Sequence, residues 1–207
     1  MQHTFNKHGS RQFLLMIIAL PAILFSCIQD YVPKPRSYFR IDLPAKTYQK
    51  FDTTYPYSFE YPSYSKITFK QDSLSKPFWI NLEFPRFKGT CYLSYSKLNG
   101  NLKEYLEESR AMALKHMQKS NGIDEYIINR PGSRVYGTVF EISGNEAASA
   151  YQFYLTDSVT NFLRGALYFN IVPNNDSLSP VIDFLKKDID QLMKTLEWKA
   201  IGKITNK

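Results

Sequence analysis

The thiol of Cys27 is the reactive group with the clearest chemical context in the sequence. It follows Leu24-Phe25-Ser26, which has the form of a lipobox, with an aliphatic residue three positions before the cysteine and a small residue directly before it. In such a motif the sulfur accepts a diacylglycerol through a thioether, and a peptidase cleaves the chain before the cysteine. A cleaved signal without lipid and a short buried helix are the alternatives. The motif predicts a mature protein that begins at an acylated Cys27.

The residues before Cys27 have the build of a secretory signal. Lys7 and Arg11 provide a basic start, and residues 13–25 form a continuous apolar run. This run is too short to span a bilayer, which requires roughly 20 apolar residues, but it fits the core of a secretory signal. We therefore predict that residues 1–26 are a signal peptide and that the protein is exported.

Cys91 and His116 are better explained as packed residues than as reactive ones. Cys91 shares a strand face with Leu93 and Tyr95, and lipid on Cys27 leaves it no disulfide partner, so we predict a buried, inert thiol. His116 lies at the edge of an apolar helix stripe, and no cysteine or second histidine is placed to complete a metal site with it. We predict no metal and no cofactor.

Three glutamates in predicted strands, Glu60, Glu83 and Glu141, are the candidates for acid–base chemistry. Two carboxylates that face each other in a cleft could hydrolyse a glycosidic bond. We prefer the explanation that each faces solvent or pairs with an arginine such as Arg86 or Arg134. Motifs for a serine nucleophile, a phosphate-binding glycine loop and a Cys-x-x-Cys pair are absent from the sequence. The sequence is therefore predicted not to be an enzyme, with a hydrolase using Glu60 or Glu83 as an alternative.

Composition limits the partners of the exported chain. Without Lys7 and Arg11, 24 basic and 19 acidic residues remain, a net charge of +5. Export and the scattered placement of the basic residues argue against nucleic acid as a partner.

Residues 28–64 contain five of the eleven prolines and ten Tyr or Phe residues. Prolines oppose helix, whereas a disordered tether would be poor in aromatic residues. We therefore predict an extended strap that docks either on its own domain or on a partner.

The rest of the chain alternates between strand and helix patterns. A first helix is predicted to open with a capping box at Asn101 and to close at Asn121-Gly122, and a second to open with Ser179 as N-cap and Pro180 as first residue. The predicted strands cover residues 57–61, 66–70, 78–84, 90–96, 124–130, 134–142, 147–156 and 160–172.

This order predicts the α+β class, with an antiparallel β-sheet flanked by two main helices. The order of elements also resembles the PsbP-like fold. We predict a lipidated N-terminus and extended strap at residues 27–56, a single α+β domain at 57–200 and a basic tail at 201–207.

Three Asp-Ser-apolar triplets lie in predicted loops or turns and contain Ser73, Ser158 and Ser177. They match the pattern at which exported Bacteroidetes proteins are O-glycosylated. Because Asp and Ser both favour turns, turn formation alone explains them equally well.

The strap contains a long motif at residues 30–44, Asp-Tyr-x-Pro-Lys-Pro-Arg-x-Tyr-Phe-Arg-Ile-Asp-Leu-Pro, which resembles the gliding motility lipoprotein GldD family of Bacteroidetes. The similarity continues through residues 56–62, 79–82 and 95–97 to the terminal helix. It implies a lipoprotein that is needed for surface gliding and associated with the type IX secretion machinery. That family has no established catalytic residues.

We accordingly predict a non-enzymatic envelope lipoprotein that binds other gliding-motility or secretion lipoproteins and envelope proteins. Partner contacts are assigned to the strap, at Tyr31, Lys34, Arg36, Tyr38, Phe39, Arg40 and Asp42, because Tyr and Arg are frequent interface hot spots. The alternative is a glycan- or lipid-binding module with an apolar cavity between helix and sheet. Residue 28 is Ile, not the Asp that retains some lipoproteins at the inner membrane, so we predict an outer-membrane anchor with the domain in the periplasm.

Overall fold

Ten strands and two helices build the described part of the chain. The computed structural model describes residues 41–69, 77–172 and 174–200, which belong to one compact unit that begins at Ile41. The helices are α1 (Leu102–Leu114) and α2 (Asn175–Thr195). The strands are β1 (Tyr48–Phe51), β2 (Tyr57–Pro62), β3 (Lys66–Phe69), β4 (Ile80–Phe84), β5 (Gly89–Lys97), β6 (Gly122–Arg130), β7 (Val135–Ser143), β8 (Tyr151–Thr156), β9 (Asn161–Phe169) and β10 (Glu197–Trp198).

Seven strands form the main sheet in the order β3-β4-β5-β9-β8-β7-β6, with every neighbouring pair antiparallel. The central pair, β5 and β9, stays in register from Gly89 opposite Phe169 to Lys97 opposite Asn161. Side chains alternate across this sheet, so Cys91 and Leu93 are buried on one face while Tyr92 is exposed on the other. The structure confirms the predicted α+β class with an antiparallel sheet and two main helices.

The face of the main sheet that carries Cys91 packs against α2 and a small second sheet. Leu185 of α2 lies over Gly89 at the start of β5, and Tyr57 of β2 contacts Tyr95 with ring centroids 5.8 Å apart. Because α2 and β2 also contribute to the same buried cluster, this side of the sheet holds the main hydrophobic core.

The small sheet has the strand order β1-β2-β10. Phe51 of β1 lies opposite Phe59 of β2, and their rings stack at 5.1 Å between centroids. On the other side of β2, Trp198 pairs with Tyr57. Both ends of the described chain are therefore tied to β2.

The opposite face of the main sheet packs against α1, where Tyr105 contacts Phe162 with ring centroids 5.2 Å apart. The predicted capping box is wrong, because the Asn101 side chain accepts a hydrogen bond from the N–H of Asn99 and makes no cap bond to the helix. The helix also ends earlier than predicted. After Leu114 the backbone tightens into a 3₁₀ turn at Met117–Lys119, which leaves Met117 exposed.

Helix α2 begins before its predicted start at Ser179-Pro180. Asn174 is the N-cap, and its side chain accepts the N–H of Ser177 at 3.3 Å. Asn175 donates to the carbonyl oxygens of Gly144 and Ala147 at 2.8 and 3.0 Å. These contacts with the β7–β8 loop hold an additional helical turn, so that Pro180 lies inside the helix. Residues 147–150, predicted as strand, belong to that loop.

Candidate interaction site

Asp188 lies on the buried side of α2 and is the acceptor at the centre of a four-residue cluster. Its Oδ1 atom accepts hydrogen bonds from Lys46 Nζ at 2.7 Å and from the Tyr48 hydroxyl at 2.8 Å. Its Oδ2 atom accepts the hydroxyl of Tyr64, from the turn between β2 and β3. Asp188 itself is 0% exposed. We call Lys46, Tyr48, Tyr64 and Asp188 the Asp188 clasp.

The lysine of the Asp188 clasp is held by more than its ion pair. Lys46 Nζ also donates to the carbonyl oxygen of Phe184 at 3.0 Å and lies 3.7 Å from the centroid of the Phe184 ring. A cation over an aromatic face is attracted by the ring quadrupole. Each buried polar group of the clasp therefore has a partner, which is the condition under which a buried carboxylate is tolerated.

The two tyrosines of the clasp are kept protonated by their surroundings. Burial and then the hydrogen bond to Asp188 raise the pKa of Tyr48 to about 12. The same two causes, burial first, raise the pKa of Tyr64. A protonated hydroxyl can donate to the carboxylate, whereas a phenolate would repel it. The clasp is thus an arrangement that fixes residues 46–48 against α2.

The described part of the predicted strap, residues 41–56, docks on its own domain through β1 and the Asp188 clasp. Of the predicted partner-binding residues, Asp42 is exposed at its start. The other six lie outside the described residues: Tyr31, Lys34, Arg36, Tyr38, Phe39 and Arg40. The predicted lipidation site, Cys27, also lies outside them. Those assignments stay predictions.

The candidate glycosylation sites fall in different settings. Ser73 lies outside the described residues. Ser158 is exposed in the turn after β8, where Asp157 Oδ1 accepts the N–H groups of the next residues, including Thr160 at 2.7 Å. Although burial opposes it, these backbone hydrogen bonds lower the pKa of the Asp157 carboxyl. Ser177 is exposed in the first turn of α2, not in the predicted loop.

The three candidate acid–base glutamates lie on three separate strands, and each bonds to a residue of its own chain. Glu60 accepts from Gln191 Nε2 at 2.8 Å, and Glu83 accepts from Thr68 Oγ1 at 2.7 Å. Glu141 forms an ion pair with Lys186 of α2. Their partners therefore differ from the predicted Arg86 and Arg134.

The remaining candidates for metal or thiol chemistry are packed, as predicted. Burial raises the pKa of the Cys91 thiol to about 12, and this thiol is fully buried. Burial, together with the charge of Arg164, lowers the pKa of the half-buried His116. Within residues 41–69, 77–172 and 174–200, no three His, Cys, Asp or Glu residues come together as a metal site.

A pocket of about 150 Å³ lies between α1 and the main sheet. Trp79, Tyr105 and Phe162 supply aromatic walls, and Arg164 and Glu108 supply charge. Ligand sites are usually about 300–1,000 Å³, so this pocket is small for a glycan or a lipid.

Two larger grooves flank β6, at the end of the main sheet. One, of about 340 Å³, lies between β6 and α2 and is lined by Tyr126 and Arg130. The other, of about 510 Å³, lies on the opposite side and is lined by Ile127.

Among the described helices, none is long and apolar enough to cross a bilayer.

Sequence reasoning did not identify the Asp188 clasp. A signal was nevertheless present: Asp188 lies three residues after Leu185 and four before Leu192, both buried. That spacing places it on the buried stripe of a helix.

Comparison with known proteins relates most of the chain to one family. The model of that family, described as gliding motility lipoprotein GldD, matches residues 28–198. No curated protein matches the chain. Among solved structures, the solution structure of cyanobacterial PsbP (CyanoP) from Synechocystis sp. PCC 6803 is similar, with 10% identity and a TM-score of 0.45. The match covers 77% of this chain and 97% of that chain.

Proposed function

The chain belongs to the gliding motility lipoprotein GldD family, and from this we propose that it is a non-enzymatic assembly component of the gliding and type IX secretion machinery. As a member of the family it is a gliding motility lipoprotein, associated with a membrane of the cell envelope through its lipid. The proposal adds that acyl chains such as palmitate are attached at Cys27 after removal of residues 1–26. It also places the anchor in the outer membrane and the domain in the periplasm.

The family match over residues 28–198 carries this proposal, and the Asp188 clasp supports the part of it that concerns the strap. The clasp fixes the chain at Lys46, nineteen positions after Cys27. At about 3.4 Å per extended residue, the domain surface at Lys46 can lie at most roughly 65 Å from the lipidated residue. The motif at residues 30–44 therefore connects a membrane-bound residue to a fixed point on the domain. A segment with this placement is suited to recognition by another envelope protein.

The chemistry of the motif supports a protein partner. Lys34, Arg36 and Arg40 would provide charge, and Tyr38 and Phe39 would provide apolar anchors, as in many interface hot spots. The proposed partners are other gliding-motility or secretion lipoproteins and envelope proteins.

Hydrogen bonds within the chain support a structural role for the glutamates. Gln191, Thr68 and Lys186 engage Glu60, Glu83 and Glu141 at three different strands. Ligand binding is a weaker candidate, because the pocket between α1 and the sheet is about 150 Å³, below the usual size of such sites.

Paired substitutions test the proposal in cells. Tyr38→Ala with Phe39→Ala should abolish gliding and the recovery of partners cross-linked from residues 31–44, while the melting temperature of the purified protein stays unchanged. The matched control is Ile171→Ala with Val172→Ala, two exposed apolar residues of the domain, which should retain both. Partners recovered at normal yield from the Tyr38 and Phe39 variant would refute the proposal. A variant that no longer folds would instead show that the motif is structural.

A further inference from the structure

Strand β6 is a long edge of the main sheet. It contains nine residues, and in the described part of the chain its hydrogen-bonded neighbour is β7 on one side. The opposite edge strand, β3, has four residues. Proteins usually protect edge strands with prolines, lysines, bulges or short length, because unpaired N–H and C=O groups recruit another strand. β6 has neither proline nor lysine, and Ile127 and Tyr126 are 85% and 52% exposed.

The side chains of β6 divide between two faces. Tyr126 and Arg130 face the α2 side and line the groove of about 340 Å³. Ile127 faces the α1 side, where Glu125 forms an ion pair with Arg110 at 2.9 Å. An added strand would therefore meet apolar and charged groups on both faces of the sheet.

The sequence of β6 is complementary to itself in one antiparallel register. With Ile127 opposite Ile127, Asp124 lies opposite Arg130 and Tyr126 opposite Ile128, each pair occurring twice and on one face of the sheet. On the other face, Glu125 lies opposite Asn129. Directly opposed unlike charges and apolar pairs stabilise strand pairing, whereas like charges oppose it.

Neighbouring registers are worse. Centring the pair on Tyr126 places Asp124 opposite Ile128, and centring it on Glu125 places two carboxylates opposite each other. Sliding one strand along the other by an odd number of residues would place residues from opposite faces of the sheet next to each other. Moving the centre by one residue, as above, slides the strand by two residues and keeps the faces. Of these registers, the one centred on Ile127 is therefore preferred, because it alone opposes Asp124 and Arg130 directly.

We propose that β6 pairs antiparallel with β6 of a second copy of this chain, about a two-fold axis at Ile127, so that one sheet continues across the dimer. A two-fold contact of this kind uses the same surface on both copies. Confinement to one membrane raises the effective concentration of anchored copies and so favours a modest contact. The proposal is independent of the strap, since none of the residues that carry it lie there.

Cysteine cross-linking of the full chain in detergent and in cells tests this pairing. Residues directly opposite on antiparallel strands have Cβ atoms about 4.5–5.5 Å apart. Ile127→Cys should give a covalent homodimer on oxidation or with a short bismaleimide. The matched control is Val172→Cys, which has the same 85% exposure and should stay monomeric. Mixed Glu125→Cys and Asn129→Cys chains should link to each other more efficiently than either links to itself.

A second variant links the cross-link to association. Ile127→Lys places two ammonium groups at the axis and should weaken dimerisation by about tenfold or more, measured by sedimentation, with the melting temperature unchanged. Equal cross-linking from residues 127 and 172, or a monomer at every concentration, would overturn the proposal. The proposal would also be overturned if Ile127→Cys formed an adduct with a different protein. The same holds if the chain's own strap shielded residue 127 from the cross-linker.

Discussion

Replacing Asp188 with Asn should destabilise the domain far more than its position on a charged helix suggests. The substitution keeps the side-chain volume but removes the negative charge that Lys46 Nζ contacts at 2.7 Å. The amide of Asn can still bond to the hydroxyls of Tyr48 and Tyr64, because a hydroxyl both donates and accepts. The expected loss therefore comes mainly from the ammonium group of Lys46, left without its ion pair.

The size of the effect follows from burial. Removing one partner of a buried ion pair costs roughly 3–5 kcal/mol. Because the Lys46 side chain is 28% exposed while that of Asp188 is 0% exposed, water recovers part of this loss, and we expect about 3 kcal/mol. For a domain of this size, that lowers the melting temperature by roughly 6–12 °C.

Chemical and thermal unfolding of Asp188→Asn, Lys46→Met and the double variant form the assay. The two single effects should not add, because both remove the same contact. The control is Asp183→Asn on the same helix, whose ion pair with Lys186 is long, at 3.8 Å, and whose side chain is 63% exposed. It should stay within about 0.5 kcal/mol of the parent. An Asp188→Asn effect below about 1 kcal/mol, or additive single effects, would refute the reasoning.

Three further predictions concern a core glycine, the Tyr48 hydroxyl and the two cysteines. Gly165→Ala should destabilise it by about 3 kcal/mol or more in urea titrations, because a Cβ atom there would lie 2.1 Å from Phe153 Cζ. Burial first, then the hydrogen bond to Asp188, raises the pKa of Tyr48 to about 12, so the unfolded chain loses this proton first. The contribution of the Tyr48 hydroxyl to the free energy of unfolding should therefore be fully present below pH 10 and should be lost between about pH 10 and 12. The decrease in the free energy of unfolding over this range should be smaller in Tyr48→Phe. Fatty-acid labelling should be abolished by Cys27→Ser, whereas Cys91 should react with maleimide only after denaturation; a labelled Cys27→Ser or a reactive native Cys91 would contradict this.

Patterns within a single strand or helix were sufficient to predict most elements. In β5, Cys91, Leu93 and Tyr95 alternate with more polar residues, and the structure buries these three on one face. The start of α2 was misplaced, because Ser179-Pro180 is a strong local signal. The true N-cap is Asn174, and contacts between Asn175 and a distant loop hold the extra turn. Local sequence could not reveal those contacts.

The Asp188 clasp shows a different limit. The spacing from Leu185 and Leu192 puts residue 188 on the buried stripe of α2, but the charge of an aspartate argues against burial unless the carboxylate has partners. The burial of Asp188 depends on hydrogen bonds from Lys46 and Tyr48, which lie 142 and 140 positions away in the sequence. A buried carboxylate is predictable only when its partners are known, since without them the same position would be strongly destabilising.

Helix α2 connects the two surfaces to which we assign interactions. Asp188 in its middle holds residues 46–48 of the strap, while its C-terminal carbonyl oxygens accept hydrogen bonds from Arg130 at the end of β6. Arg130 Nη1 contacts the carbonyl oxygens of Met193 and Leu196 at 2.8 and 3.2 Å, a favourable position for a cation because the helix dipole is negative there. A substitution that shifts the backbone of α2 would therefore disturb both surfaces together. Substitutions that each address one contact, Ile127 for the strand edge and Tyr38 with Phe39 for the strap, are needed to separate the two contacts. If the strap binds a partner and β6 binds a second copy, each of these variants should lose one contact and keep the other.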